Sequence, residues 1–333
     1  MFDEVTGDTL YTFSYTSGTT GMPKGVMLTH KNFVCNIGGM TMFDPEFYIT
    51  ENDVYLSYLP LAHVIERCLL VCAMGYKMQY GFFQGDVFKL KDDLAVLRPT
   101  IFASVPRLFN RFYDAMQQKI NEVTGFKRGL LDAGVAAKLQ NLATSGKTTH
   151  AFYDLVLFNK FKAILGGRVR VMVSGSAPIS KEVLSFLKIA FCCQIHEGYG
   201  QTECGAPATL TWTKDPTSGH VGSPYPTLEV KLVDAPEMKY TSKDKDESGV
   251  LMPRGEICYK GSSAFKGYFR QLEATKDTID AAGWVHTGDI GQFLPHGVLK
   301  IIDRKKNIFK LSQGEYIAPD KVEGKITLSL YIA

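Results

Sequence analysis

The chain has 333 residues, 45% of them hydrophobic and 21% charged, and its 37 basic and 34 acidic side chains leave a net charge of +3. That length exceeds one ordinary domain and predicts two domains, or one large core with an appendage. So small a net charge gives no footing for nucleic-acid or anionic-surface binding, and the apolar content is that of a globular protein. The cysteines (Cys35, Cys68, Cys72, Cys192, Cys193, Cys204 and Cys258) form no repeated CxxC pair and are odd in number. They read as reduced thiols in a cytosolic setting rather than as a zinc site. No apolar run approaches the ~18 residues that span a bilayer, and Met1-Phe2-Asp3-Glu4 lacks the basic and apolar regions of a signal peptide. By itself the chain reads as soluble or peripheral.

Thr9 to Tyr15 is rich in aromatic and β-branched residues and predicts a strand. Its end runs into Tyr15-Thr16-Ser17-Gly18-Thr19-Thr20-Gly21-Met22-Pro23-Lys24-Gly25. The apolar run Val26-Met27-Leu28 follows, and Thr29 predicts the N-cap of a helix through about Gly38. Asp53 to Leu59 predicts a second strand, leading into Pro60-Leu61-Ala62-His63 and an apolar helix. Thr100 to Val105 predicts a third, with Pro106 opening the helix behind it. Between 126 and 165, Leu130, Leu131, Val135, Leu139 and Leu142 recur at helical spacing and predict core-facing helices broken at Thr144 to His150. Arg168 to Val173 alternates as a strand, turns at Ser174-Gly175-Ser176-Ala177-Pro178, and leaves Ser180 to cap a further helix. Such strand, turn and helix repetition predicts an α/β fold with a parallel sheet and ligands at its strand ends. Beyond about residue 220 short β-rich runs take over, at Glu229 to Val233, Glu256 to Tyr259 and Val298 to Ile302, predicting a smaller β subdomain. Lys239 to Glu247 is an exposed charged loop.

The Tyr15 to Gly25 run suits phosphate: glycines turn N–H groups inward, hydroxyls donate, and Lys24 neutralises an oxygen. It is not the P-loop of NTPases, because Pro23 precedes Lys24 and Gly25 follows it where Ser or Thr would hold magnesium. A Ser/Thr/Gly cluster alone is more often a surface loop, so its order matters. The order resembles the phosphate loop of the adenylate-forming enzymes, the superfamily of acyl-CoA synthetases, luciferases and peptide-synthetase adenylation domains. His196-Glu197-Gly198-Tyr199-Gly200-Gln201-Thr202-Glu203 continues the resemblance. Its tyrosine face can stack on adenine, Thr202 can reach the α-phosphate and Glu203 can ligate Mg2+. Ser174 to Pro178 is similar to the segment that borders adenine around Gly175 and Ser176. Gly283 to Gly291 is similar to the motif whose aspartate, here Asp289, binds the ribose hydroxyls. Ile302 to Lys310 resembles the interdomain linker, which by that resemblance gives nucleotide or hinge roles to Arg304, Lys306 and Lys310.

Fuller stretches, at Tyr58 to Arg67, in the helical insert before Arg168, and at Lys310 to Pro319, resemble the eukaryotic-type long-chain acyl-CoA synthetases, with likeness from about residue 5 to 323. That resemblance implies a fold, a reaction and a site. The fold is the adenylate-forming large-domain core, parallel sheets flanked by helices, with 1–220 as nucleotide-binding core, 221–302 as β-rich subdomain, and 303–333 as hinge and start of a mostly absent C-terminal domain. The reaction converts a long-chain fatty acid, ATP and coenzyme A, with Mg2+, to acyl-CoA, AMP and diphosphate. Lys24, Thr202 and Glu203 would be catalytic. Thr16, Ser17, Gly18, Thr19, Thr20, Gly21, Lys24, His63, Gly175, Ser176, Glu197, Gly198, Tyr199, Gly200, Thr202, Asp289, Arg304, Lys306 and Lys310 would hold the nucleotide, with Thr16 and Glu203 at the metal. No residues identify an acyl tunnel.

Only 14 residues precede Tyr15, and the likeness ends after Glu323, so the resemblance also implies truncation at both ends and loss of the family's adenylation lysine. Full-length relatives would be cytoplasmic with association to endoplasmic-reticulum membrane, through regions not in this chain. Two rival readings stay open: a non-catalytic nucleotide-binding remnant or fragment, and another acyl- or aryl-CoA ligase of the same superfamily.

Overall fold

The computed structural model describes residues 4–16, 23–305, 309–310 and 316–317. β1 (Leu10–Thr16) and β2 (Lys24–Thr29) form an antiparallel hairpin, with Thr16 opposite Lys24 at its connected end. The strand expected before the phosphate-type loop is therefore present, and Val26-Met27-Leu28 lies in its partner. Ser17 to Met22, between the two, falls outside the described residues. Thr29 caps α1 (His30–Phe43) as its hydroxyl predicts: Thr29 Oγ1 accepts from Asn32 N, and Asn32 Oδ1 accepts from Thr29 N at 2.8 Å. The helix runs past Gly38 to Phe43. Gly39 is there for packing rather than termination, since a Cβ on it would sit 2.7 Å from the Tyr225 ring.

A seven-stranded sheet follows, assembled with helices in chain order as β3 (Val54–Ser57), α2 (Val64–Tyr76), β4 (Gln79–Phe82), α3 (Leu90–Leu97), β5 (Ile101–Ser104), α4 (Pro106–Asn121) and α5 (Gly125–Ser145). It continues through β6 (Val171–Ser174), α6 (Lys181–Phe191), β7 (Gln194–Tyr199), β8 (Thr209–Leu210) and β9 (Ser223–Pro224). The order is β4-β3-β5-β6-β7-β8-β9. β3 to β7 are mutually parallel, whereas β8 and β9 run antiparallel. The parallel sheet read from the sequence is thus a mixed one. The segment between β7 and β8 is too short for a crossover helix, so the chain can only return antiparallel.

Pro106 opens α4, and Ser180 Oγ accepts from Val183 N at 3.2 Å to cap α6, as both residue types predict. On one sheet face Leu56, Phe102, Met172 and Ile195 pack against α3 to α6 in the largest core cluster. On α5, Leu131 joins that cluster and Leu142 is buried, while Leu139 is 36% exposed, against expectation. Leu139 lies one position, about 100° of helix, beyond Lys138, which takes the inward place instead. Lys138 is fully buried, with its ammonium on Asp154 and 4.2 Å from the Phe158 ring.

The opposite sheet face, with Tyr55, Ile101, Ala103 and Val173, meets α2. Beyond it stands a four-stranded antiparallel sheet in sequence order: β10 (Leu228–Val233), β11 (Arg254–Gly261), β12 (Val285–Phe293) and β13 (Leu299–Arg304), with α7 (Leu272–Thr278) between β11 and β12. These contain the three β-rich runs read from the sequence. Lys239 to Glu247 is the exposed loop expected, held by Asp244 on Arg254 at 2.6 Å. β14 (Phe309–Lys310) and β15 (Tyr316–Ile317) form a separate short pair.

Two buried amides of α1 join these parts. Asn32 Nδ2 donates to Ser262 O and Ala264 O at 3.0 and 2.9 Å, and Asn36 Nδ2 donates to Cys204 O and Gly205 O at 3.2 and 3.0 Å. Replacing Asn32 takes the donor from two part-buried carbonyls and the partner from a helix cap. Asn32→Ala should therefore destabilise the fold by about 3 kcal/mol in chemical denaturation, whereas Lys31→Ala, on the exposed side of the same turn, should change it by about 0.5 kcal/mol or less.

Candidate functional site

The hairpin end, the carboxyl ends of the parallel strands and the four-stranded sheet close around one cavity of about 1170 Å³. Each wall follows from local sequence. β2 is stitched to the 265–271 segment, with Met27 N donating to Gly267 O at 3.0 Å and Phe269 N donating to Gly25 O at 2.8 Å, which sets Tyr15, Thr16 and Lys24 at one side. Tyr199, Thr202 and Glu203 come from the end of β7 and the tight turn after it. That turn needs glycine: a Cβ on Gly200 would fall 1.6 Å from Ala206 O.

Of the residues singled out in the sequence, Thr16, Lys24, His63, Gly175, Ser176, Gly198, Tyr199, Gly200, Thr202, Glu203, Asp289 and Arg304 all line this cavity. They come from six separate stretches of chain. Ser17, Gly18, Thr19, Thr20, Gly21 and Lys306 lie outside the described residues, and Lys310 is placed only as part of β14. Glu197 is not a lining residue. It is buried on β7, near the buried ammonium of Lys188.

The polar half is internally wired. Asp289 Oδ2 accepts from Tyr199 Oη at 2.7 Å and from Gln201 Nε2 at 2.9 Å, while Arg304 Nε stands 3.8 Å from Oδ1. Burial lifts the Asp289 carboxyl above the ordinary carboxylate range, opposed by those hydrogen bonds and by the Arg304 charge. Gln201 Nε2 also donates to Thr287 O at 3.0 Å, which holds the turn after β7 to β12. Glu203 Oε1 accepts from Tyr268 Oη at 2.8 Å, and Lys24 Nζ lies 4.7 Å over the same tyrosine ring. Tyr268 thereby carries the cation on its face and the carboxylate on its hydroxyl. His63, the N-cap of α2, is held below the usual histidine range by burial.

Sequence reasoning did not find Tyr268, Gln201 or the apolar half of the cavity. Gln201 stood inside a recognised motif, but Tyr268 has no local signal, since its role depends on pairing across the hairpin. Phe47, Ile49, Leu69, Ile101, Val173 and Leu210 line the apolar half. They come from a loop, a helix and three strands, and no window of sequence contains them together.

Beside the cavity, burial pushes the Glu197 carboxyl up from its ordinary 4.5 to about 7, with Lys188 pulling the other way. Among the described residues its Oε2 has no hydrogen-bond partner. A carboxyl raised on folding holds its proton more tightly in the folded state, so stability contributed below the unfolded value is lost as pH climbs through about 7. Glu197→Gln removes that dependence. The variant's melting temperature relative to wild type should be higher at about pH 8 than at about pH 5, and thermal scans at the two values check the sign.

Comparison with known proteins follows the same lines. Residues 2–269 match the family described as AMP-binding enzyme. The chain is 52% identical over 322 residues to long chain acyl-CoA synthetase 7, peroxisomal, of Arabidopsis thaliana, covering 97% of this chain and 45% of that protein. It is 49% identical over 318 residues to long-chain-fatty-acid–CoA ligase 6 of Rattus norvegicus, covering 95% and 44%. Among solved structures, the A domain of a carboxylic acid reductase from Segniliparus rugosus, in complex with AMP and a co-purified carboxylic acid, superposes with a TM-score of 0.73 at 28% identity, covering 96% of this chain and 45% of that one. The chain thus spans a little under half the length of the relatives it matches. The match over most of its length and the shared adenylate-forming fold both place the chain in the AMP-binding enzyme family.

Proposed function

We propose that this chain carries the nucleotide and acyl site of a long-chain fatty acid–CoA ligase, which makes acyl-CoA, AMP and diphosphate from a fatty acid, ATP and coenzyme A. One observation supports this above the rest: a single cavity has a polar half built from phosphate-, ribose- and base-type residues and an apolar half against the sheet. A hydrophobic acid and a nucleotide would meet at the junction of the two. The relatives named long-chain acyl-CoA synthetase and long-chain-fatty-acid–CoA ligase point the same way.

In this reading the fatty carboxylate attacks the α-phosphorus, displacing diphosphate, and the coenzyme A thiol then attacks the acyl carbonyl and displaces AMP. Lys24 and Thr202 neutralise and orient phosphate oxygens, Tyr199 packs on the adenine, and Asp289 with Arg304 holds the ribose. The work is positioning and charge neutralisation, so no protein nucleophile is needed. Thr16 and Glu203, an alcohol and a carboxylate on one cavity wall, suit Mg2+, which takes few protein oxygens beside phosphate and water. Magnesium bound there would offset charge on the phosphates. Glu197, buried behind the base-binding turn, acts through the position of Tyr199.

The reading extends to organisation and place. Residues 1–220 and 221–302 would be the core and the β-rich subdomain of one nucleotide-binding domain, and 303–333 the interdomain hinge and the start of a C-terminal domain. Among the described residues no helix is long and apolar enough to cross a membrane. Longer relatives would associate with endoplasmic-reticulum membrane through other regions, from a cytoplasmic position.

Calorimetric titration with AMP tests the site. Wild-type chain should bind, and Asp289→Ala and Tyr199→Ala should each weaken binding by about tenfold or more while circular dichroism stays unchanged. A folded wild-type chain that ignores AMP, or variants that bind as well as wild type, would overturn the assignment.

A further inference from the structure

The cavity runs the full length of the parallel strands on its side of the sheet. Ser104 and Ser174 line it at their carboxyl ends, and Ile101 and Val171 line it at their starts. That is a depth of about 10 Å at the rise of a β-strand. Its ionisable lining gathers toward the carboxyl ends, where Lys24, Glu203 and Asp289 stand. At the strand starts the wall is Phe47, Tyr48 and Ile49, in the loop between α1 and β3.

This loop is tied down on every side. Arg170, just before β6, places Nε 2.9 Å from Asp53 Oδ1 and Nη2 2.6 Å from Asp53 Oδ2. Its Nη2 also donates to the Tyr48 carbonyl, and its guanidinium lies 4.5 Å from the centre of the Tyr48 ring. Thr100 Oγ1 donates to Asp53 Oδ1 at 2.6 Å, fixing the carboxylate to the start of β5. At the other end of the loop Asp44 Oδ2 accepts from Thr213 N at 2.6 Å, and Phe47 packs edge-on against His196 at 4.6 Å. A paired, bidentate guanidinium under an aromatic ring is a stiff support, and nothing in catalysis as outlined above needs it.

We infer that Tyr48 and Ile49 form the floor that stops the methyl end of the acyl chain, with Arg170 as the positioning residue that holds the floor in place. The inference rests on the acyl reading of the apolar half. The carboxylate must lie at the charged end to meet the nucleotide, so the alkyl chain points toward the strand starts and ends against this loop. Chain length is then measured by a fixed wall. Each methylene gains affinity by leaving water until the chain meets the wall, and the next one must displace it or bend.

The test uses acyl-sulfamoyl-adenosines, hydrolysis-resistant mimics of an acyl-adenylate, in a series of increasing chain length titrated calorimetrically into the full chain beside AMP. Wild type should gain about fourfold in affinity per methylene up to a break and little beyond it. Tyr48→Ala should move the break to longer chains, Ile49→Phe to shorter ones, and Arg170→Ala should broaden it, all with AMP affinity unchanged. Tyr48 is 56% exposed, so its truncation leaves the fold intact. A break at the same length in wild type and Tyr48→Ala, with AMP bound normally by both, overturns the floor and leaves the function standing. Loss of AMP binding by folded wild type removes the function, and the floor with it.

Discussion

The architecture depends on a buried polar seam that α1 closes. Cys204 and Gly205, in the turn that follows β7, and Ser262 and Ala264, after β11, present carbonyls that neither sheet can satisfy. Asn36 and Asn32 donate to them from one helix face, two turns of contact four residues apart. Unmade hydrogen bonds inside protein cost more than made ones contribute, so this seam fixes position more than it adds stability. It sets the glutamate, tyrosine and glycine turn after β7 at a defined distance from the hairpin and from the four-stranded sheet. Without it there would be three sheets and no common cavity.

The same logic orders the charges. Asp289 is buried, and its carboxylate is tolerable because a phenol and an amide donate to it and a guanidinium stands nearby. Those donors are Tyr199 and Gln201, so the residue read as the adenine partner also orients the residue read as the ribose partner. Glu197, one residue before Gly198, has no such donor on Oε2 among the described residues and is pushed toward its neutral form by burial. Burial raises both carboxyls, and at Asp289 the phenol, the amide and the guanidinium oppose that rise.

The apolar half of the cavity is what remains of a sheet face that α2 covers only in part. Strands that bury both faces read as continuous apolar runs, as Val54 to Leu56 and Ile101 to Ala103 do. A wall facing a cavity and a wall facing a helix have the same composition. Such a run marks a buried strand without telling which side it lines.

The order of elements was legible because its signals are local. Thr29, Pro106 and Ser180 act on backbone groups a few residues away, so their positions mark helix starts wherever the chain goes. The motif residues were legible too, because phosphate, ribose and base chemistry confines each task to a few side chains in one short stretch. Where those stretches would meet, however, follows from packing between residues far apart in the chain, as the contact of Tyr199 with Asp289 across 90 positions shows. Tyr268 under Lys24, Lys138 in place of Leu139, and the loop of Tyr48 beneath the apolar channel could not be read ahead of the fold. Sequence by itself determined which chemistry the residues could perform and where helices begin. Tertiary structure alone decided which of them share a cavity and how deep it runs, because contacts distant along the chain leave no pattern at short range.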